Sequence, residues 1–410
     1  MKKILIIGFV WPEPNATAAG SRILQLIHFF LKENYHITFA STATETSNSY
    51  DLSVLGVNKK VIELNSSTFD TFINELQPDI VLFDRFMIEE QFGWRVAKQI
   101  PKAIRILDSE DLHSLRTARH NAFKADKDFL ISDWLQIEIT KREIASIYRC
   151  DFTLIISFFE IELLTKELQI DDSLLLYLPF MLDKIDDKIQ QGWLPFQEKN
   201  NFICIGNGKH APNIAAIQAL KNNIWPLIHK ELPRVELHIY GAYLPQSVEQ
   251  MHKPKEGFLV KGKAIEAIET IGNYKINLAP LKYGAGIKGK LVDGMLAGTP
   301  SITTTIGAEG MHANFPWSGD VVNDDDAFAK SAITLYSNEN KWKTVQENGV
   351  TIINSLYDKI VVSKSLKLKI EKIQDSIIQH RNKNFTGAML MHHTMMSTKY
   401  LSRWIEEKNK

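Results

Sequence analysis

Between positions 279 and 300 the chain reads Ala-Pro-Leu-Lys-Tyr-Gly-Ala-Gly-Ile-Lys-Gly-Lys-Leu-Val-Asp-Gly-Met-Leu-Ala-Gly-Thr-Pro. The pattern describes a strand that passes through glycines 284, 286 and 289 into a helix. Such a turn binds anions. Glycines let main-chain N–H groups approach a phosphate, the helix N-terminus adds partial positive charge, and Lys288 and Lys290 add full charges. Asp293 lies about one helical turn beyond Lys290, where a carboxylate reaches the sugar hydroxyls of a nucleotide. The plainer reading, a glycine-rich connection with solvated lysines, carries about equal weight for glycine turns in general. Gly284 to Lys290 also has P-loop spacing, but Leu291 stands where a P-loop needs Ser or Thr to hold Mg²⁺.

A second reactive group is Asp108-Ser109-Glu110-Asp111-Leu112-His113-Ser114-Leu115-Arg116, which follows a strand-like run. Acid, imidazole and guanidinium meet there at a strand's carboxyl end, where open α/β sheets place ligands. The competing reading, of equal weight, is a helix capped by Asp108 or Ser109 with its charges in water. Asp84-Arg85-Phe86 and Glu89-Glu90 follow another strand end, and structural or solvated roles suit them better than a cleft. Asp126-Lys127-Asp128 spells D-x-D within helical sequence, so no metal is assigned to it. His392-His393 lacks a second ligand pair at metal spacing. No G-x-S-x-G elbow occurs, and neither Cys150 nor Cys204 has an activating context.

The elements that must position these groups alternate in type. β-rich runs at 4–10, 37–41, 61–64, 79–84, 105–108, 152–157 and 174–180 are separated by helical periodicity, as at 21–33 and near 134–148. This is the signature of a parallel sheet. The run at 79–84 is apolar on both faces, as a strand covered above and below requires. Charged, Pro- and Gly-punctuated sequence then reads as a linker. A second series has strands at 202–206, 235–240, 258–260, 275–280 and 301–305. The expected division is a first domain over 1–185, a linker over 186–199 and a second domain over 200–380, with a helix at 386–410 returning to brace the first.

Lysine plus arginine number 48 and aspartate plus glutamate 48, which argues against a nucleic-acid wrapper and makes any cationic site local. Two cysteines cannot form a disulfide framework, so a reducing, cytoplasmic setting is expected. Lys2-Lys3, the apolar run after it and Ala16-Thr17-Ala18 imitate a secretory signal. The helix and strand that follow make that run the first strand of a βαβ unit instead. No apolar stretch reaches about 18 residues, so no spanning helix is expected. Met389, Met391, Met395, Met396, Tyr400 and Trp404 suit core or interdomain packing, and peripheral contact with the inner membrane face stays open.

In order and spacing, Asp293-Gly294-Met295-Leu296-Ala297-Gly298-Thr299-Pro300-Ser301-Ile302-Thr303-Thr304 resembles the nucleotide-sugar site of GT-B glycosyltransferases, in particular retaining family 4, the glycosyl transferases group 1. Residues 8–20 resemble the family's glycine loop near the donor phosphate. His238-Ile239-Tyr240-Gly241 resembles its second-domain strand ending in glycine, and Asn323-Asp324-Asp325-Asp326 the acidic stretch after the donor site. The resemblance covers most of the chain, strongly from about 200 to 340. It departs in two places. Ala285 stands where the first of two family glutamates contacts the transferred sugar, the second position being Asp293. Gly206-Asn207-Gly208-Lys209-His210 keeps Lys209 as a phosphate cation but has Asn207 where arginine is common.

The resemblance implies an α/β fold of two doubly wound Rossmann-like domains facing across a cleft. It implies sugar transfer from a nucleotide-diphosphate donor, a UDP- or GDP-sugar, to a glycan, lipid-linked or protein acceptor hydroxyl. Retention of configuration, no cofactor, no metal and a role in surface polysaccharide or glycoconjugate assembly go with it. Gly20, Lys209, Gly286, Ile287, Lys288 and Lys290 would hold the donor phosphates, and Asp293 the nucleoside. Asp111 and His113 would stand at the transferred sugar, with Lys290 stabilising the leaving group. Two alternatives stay open: a nucleotide-sugar epimerase of the same build and, because of Ala285, a catalytically silent nucleotide-sugar-binding protein.

Overall fold

Successive strand side chains point to opposite faces, and in β1 (Lys3–Gly8) both faces are apolar. Leu5 and Ile7 enter one core, Ile4 and Ile6 another. The computed structural model, which describes residues 2–410 without the side chains of 393–396, accordingly covers this sheet on both sides. The other strands of the first sheet are β2 (His36–Ser41), β3 (Asn58–Val61), β4 (Ile80–Asp84), β5 (Ile104–Asp108), β6 (Phe152–Ile155) and β7 (Leu175–Tyr177). All pairings are parallel, in the order β3-β2-β1-β4-β5-β6-β7. The second sheet contains β8 (Asn200–Ile205), β9 (Leu237–Tyr240), β10 (Phe258–Gly262), β11 (Tyr274–Ala279), β12 (Ser301–Thr303) and β13 (Gly319–Val321). It too is parallel, ordered β10-β9-β8-β11-β12-β13. In each sheet the winding reverses beside the first strand, leaving a crevice at the carboxyl ends of β1 and β4 and of β8 and β11.

The helices that matter for this crevice are α1 (Ala18–Lys32) after β1, α2 (Phe86–Gln99) after β4 and α3 (His113–Lys124) after β5. They are joined by α4 (Glu138–Arg149), α5 (Phe158–Lys166) after β6, α6 (Ala211–Ala219) after β8 and α7 (Gly289–Leu296) after β11. The single helix expected near 134–148 is broken, because Ile137 is extended (φ −75°, ψ 143°) between Ile131–Gln136 and α4.

The tail crosses back to the first domain. Leu182 and Lys359 run side by side, Leu182 N–H donating to Tyr357 O and Lys359 N–H to Leu182 O (both 2.8 Å). In the next helix, α8 (Lys359–Lys383), Val362, Leu366, Ile370 and Ile373 form a helical stripe that enters the core of Ile4 and Ile6. The range 200–380 expected for the second domain therefore ends in a helix packed on the first. Arg381 fixes this return with two 2.7 Å bonds to Asp151. The last helix, α9 (Phe385–Lys408), lies on α2 and α4, with Ser402 bonded to Asn65 at 3.0 Å. Met389, Tyr400 and Trp404 remain exposed, so the packing expected of the tail does not extend to them. The side chains of His393, Met395 and Met396 lie outside the described residues. Among the described residues no helix is long and apolar enough to cross a membrane.

Candidate active site

The carboxyl ends of the two sheets face one another across a cavity of about 680 Å³. Phe9, Arg85, Glu110, Asp111, His113 and Arg116 line it from the first domain, and Lys209, His210, Lys288, Lys290 and Asp293 from the second.

On the second-domain side, β11 runs through Pro280 into the glycine turn and α7. The main-chain N–H groups of Ile287, Lys288, Gly289 and Lys290 have no protein acceptor among the described residues, as the first turn of a helix leaves them. All four residues border the cavity. Lys290 donates its ammonium to Asn213 Oδ1, and burial lowers its pKa. Lys288 Nζ donates to Gly286 O at 2.8 Å, and burial pushes its pKa down to about 8. Asp293 accepts no side-chain hydrogen bond among the described residues, and burial raises its carboxyl to about 7 against the pull of Lys290. Lys209 is exposed, its ammonium 3.7 Å from the centre of the Tyr243 ring.

On the first-domain side, Asp111 pairs with Arg116 and lies 3.6 Å from His113 Nε2. Burial pushes the Asp111 carboxyl upward, but Arg116 and the other cations around it hold it below the usual range. His113 opens α3 and is almost fully buried. Burial drives its pKa down to about 3, so its imidazole is neutral. The helix is capped from thirty residues away: Glu143 accepts from His113 N–H (2.9 Å), Ser114 N–H (3.0 Å) and Ser114 Oγ. Neither Asp108 nor Ser109 caps it, because Asp108 accepts from Arg22 Nε with both oxygens and pairs with that guanidinium, while Ser109 Oγ donates to Leu154 O. Arg85, at a positive φ of 74°, does line the cavity and pairs with Glu110 at 2.8 Å.

Two expected phosphate contacts are placed otherwise. Gly20 is buried outside the cavity lining, its N–H donating to the N-cap hydroxyl of Thr17 at 2.9 Å. A Cβ there would lie 2.4 Å from the backbone of Glu13, so Gly20 is needed for packing against that loop. Gly286 N–H points across the domain interface and donates to Glu160 Oε1 at 2.8 Å. Asp126 and Asp128 are exposed, and no cluster of three His, Cys, Asp or Glu side chains able to hold a metal forms among the described residues.

Sequence reasoning missed Glu160, Arg119, Glu309 and Glu143. Each acts through partners distant in sequence, and an acid in the helical run around Glu160 looks like any solvated helix charge. Ala285, where the resemblance places a glutamate, borders the cavity and packs on the first domain's apolar core.

Residues 199–338 match the family model described as "Glycosyl transferases group 1". Over this segment the chain is similar to the group 1 glycosyl transferases. Together the two facing Rossmann sheets make the GT-B fold. The chain is 24% identical over 300 residues, 69% of its length, to an "Uncharacterized 44.6 kDa protein in cps region" of Klebsiella pneumoniae, covering 73% of that protein. Among solved structures it resembles sucrose-phosphate synthase from Thermosynechococcus elongatus (TM-score 0.68, 14% identity, 91% of this chain and 99% of that one). It also resembles Anabaena Alr3699/HepE in complex with UDP-glucose (TM-score 0.65, 11% identity, 91% and 100%).

Proposed function

We propose that this glycosyl transferase moves a sugar from a nucleoside-diphosphate sugar to an acceptor hydroxyl in the cleft between its domains. One observation carries the reading: four unengaged main-chain N–H groups, 287–290, border a cavity that also holds the ammonium groups of Lys288 and Lys290 and the unpartnered carboxylate of Asp293. Donors and cations at one end of α7 suit a diphosphate, and a lone acceptor one turn on suits ribose hydroxyls. Alr3699/HepE, a neighbour in fold, binds UDP-glucose, which makes a UDP-sugar the first donor to try.

Breaking the bond between sugar and phosphate leaves negative charge on the departing diphosphate. Amides and lysines fixed in place before the reaction stabilise that charge, each such donor contributing about 2.7–4 kcal/mol in comparable sites. Lys209, on the rim, adds charge to the outer phosphate. Asp111, held ionised by Arg116, stands where positive charge develops on the sugar, and the neutral His113 offers a hydrogen bond to a sugar hydroxyl. We assign the reaction a retaining course in which the departing phosphate takes the acceptor's proton. The setting is assembly of a surface polysaccharide or glycoconjugate, in keeping with the cps-region relative.

Labelled UDP-, GDP-, ADP- and TDP-sugars incubated with and without glycan acceptors test this reading. Acceptor-dependent release of nucleotide supports it. Interconversion of the sugar without release, or binding with no turnover, contradicts it. Unchanged donor affinity in Lys290→Ala would show that the phosphates lie elsewhere.

A further inference from the structure

The glycine turn is held on both sides by residues of the other domain. Glu160, on α5, is fully buried. Its Oε1 accepts Gly286 N–H at 2.8 Å and Leu112 N–H at 3.2 Å, so one oxygen ties the donor turn to the loop that carries Asp111. Its Oε2 is buried with no partner among the described residues. Arg119, on α3, donates through Nη1 to Gly284 O at 2.8 Å, and through both terminal nitrogens to Glu309 at 2.7 and 2.8 Å. The contact is close: Gly286 sits at φ +63°, and a Cβ there would lie 2.6 Å from Asp111 Cβ. Two consecutive links of the turn, the carbonyl of Gly284 and the amide of Gly286, are therefore fixed from outside their own domain. The four open amides follow directly.

We propose that Glu160 and Arg119 are positioning residues for the donor site, setting the direction of the 287–290 amides only while the two domains are closed. This rests on the donor reading above and deepens it: the diphosphate cradle is completed by the first domain. With Ala285 lacking a side-chain acceptor, the carboxyl group that meets this turn comes from across the interface. Opening the cleft releases Gly284 and Gly286 together and lets the following amides turn. A donor held by the second domain alone then has a poorly aimed cradle, and its diphosphate leaves slowly. Closure over the acceptor restores the aim, which couples departure of the diphosphate to a filled, water-excluding cleft.

The test compares Glu160→Leu, Glu160→Gln and Arg119→Lys with wild type, each shown to be folded by circular dichroism. Calorimetry measures Kd for UDP, GDP, ADP and TDP and for the matching nucleosides. Asn48→Ala, which removes interdomain bonds to Tyr243 and Lys263 away from the turn, is the control. Glu160→Leu is expected to weaken the diphosphate by about tenfold with the nucleoside unchanged, the size of one buried hydrogen bond. Glu160→Gln keeps a carbonyl acceptor and returns to within about threefold of wild type. Arg119→Lys, which cannot hold Gly284 and Glu309 together, weakens the diphosphate selectively, and Asn48→Ala changes nothing. If Glu160→Leu or Arg119→Lys is folded and binds the diphosphate as wild type does, or loses nucleoside and diphosphate alike, the positioning role is wrong. A wild type that binds no nucleoside diphosphate overturns the donor reading itself, an outcome separate from indifferent variants.

Discussion

Lys288 gives the donor site a measurable pH dependence. Its ammonium is buried against the turn, bonded among the described residues only to Gly286 O, and burial pushes its pKa down to about 8. A bound diphosphate favours the charged form, so the pKa rises on binding, and above pH 8 binding must take up a proton. At pH 7 about nine-tenths of the free protein carries the charge, and at pH 9 about one-tenth. With charge fully restored in the complex, Kd for the diphosphate is nearly constant below pH 7.5 and rises about tenfold between pH 7 and pH 9. Calorimetry in two buffers of different ionisation enthalpy should then count about 0.9 proton taken up per site at pH 9 and about 0.1 at pH 7. Glu110 and Glu160, both raised to about 8 by burial, ionise in the same range. Lys288→Met separates them, since it should bind more weakly at pH 7 and lose most of the alkaline weakening. A wild-type Kd that is flat from pH 7 to pH 9, or an equal slope in Lys288→Met, would refute the placement of this lysine.

Further outcomes follow from the same geometry. Asp293, raised to about 7 by burial, must ionise to accept ribose hydroxyls well. Nucleoside affinity should therefore fall as pH drops through 7, and Asp293→Asn should bind about tenfold more weakly at pH 8 with that acid limb gone; an unchanged limb in titration calorimetry refutes the contact. Ala285→Glu places a carboxylate at the border between the cavity and the first domain's apolar core, one residue from the amide held by Glu160. It should lower the thermal midpoint and reduce transfer, and a gain in turnover would refute this reading of the turn. Arg22→Met leaves Asp108 charged at 0% exposure, which should cost about 3–5 kcal/mol in guanidinium unfolding. An unchanged midpoint would show that the pair contributes nothing.

The sheets were legible because their strands are apolar on both faces. Ile4 to Ile7 and Ile80 to Phe83 need cover above and below, and only a parallel sheet wound on both sides supplies it. Where the pattern was short the reading failed: Gly319-Asp320-Val321 is three residues with one charge, yet it pairs along β12 as an edge strand. At the site, Ile287, Lys288, Lys290 and Asp293 share one border of the cavity, since a turn and the first coils of a helix are local geometry. Gly20 and Gly286 do not contribute free amides. The competing acceptors, Thr17 Oγ1 and Glu160 Oε1, are set by cap and interdomain geometry that a glycine pattern does not encode. For the same reason no local signal marks Glu143 as the cap of α3 or Arg119 as a brace for the turn.

A nucleoside diphosphate bound between the domains should lay its phosphates on the amides of 287–290. A crystal structure of the protein with UDP, or with whichever nucleoside diphosphate binds tightest in calorimetry, tests it most directly. Phosphate oxygens are expected within about 3 Å of those N–H groups and of Lys288 or Lys290, with the ribose on Asp293. Phosphates bound elsewhere, or an α7 N-terminus facing only water in the complex, would contradict it.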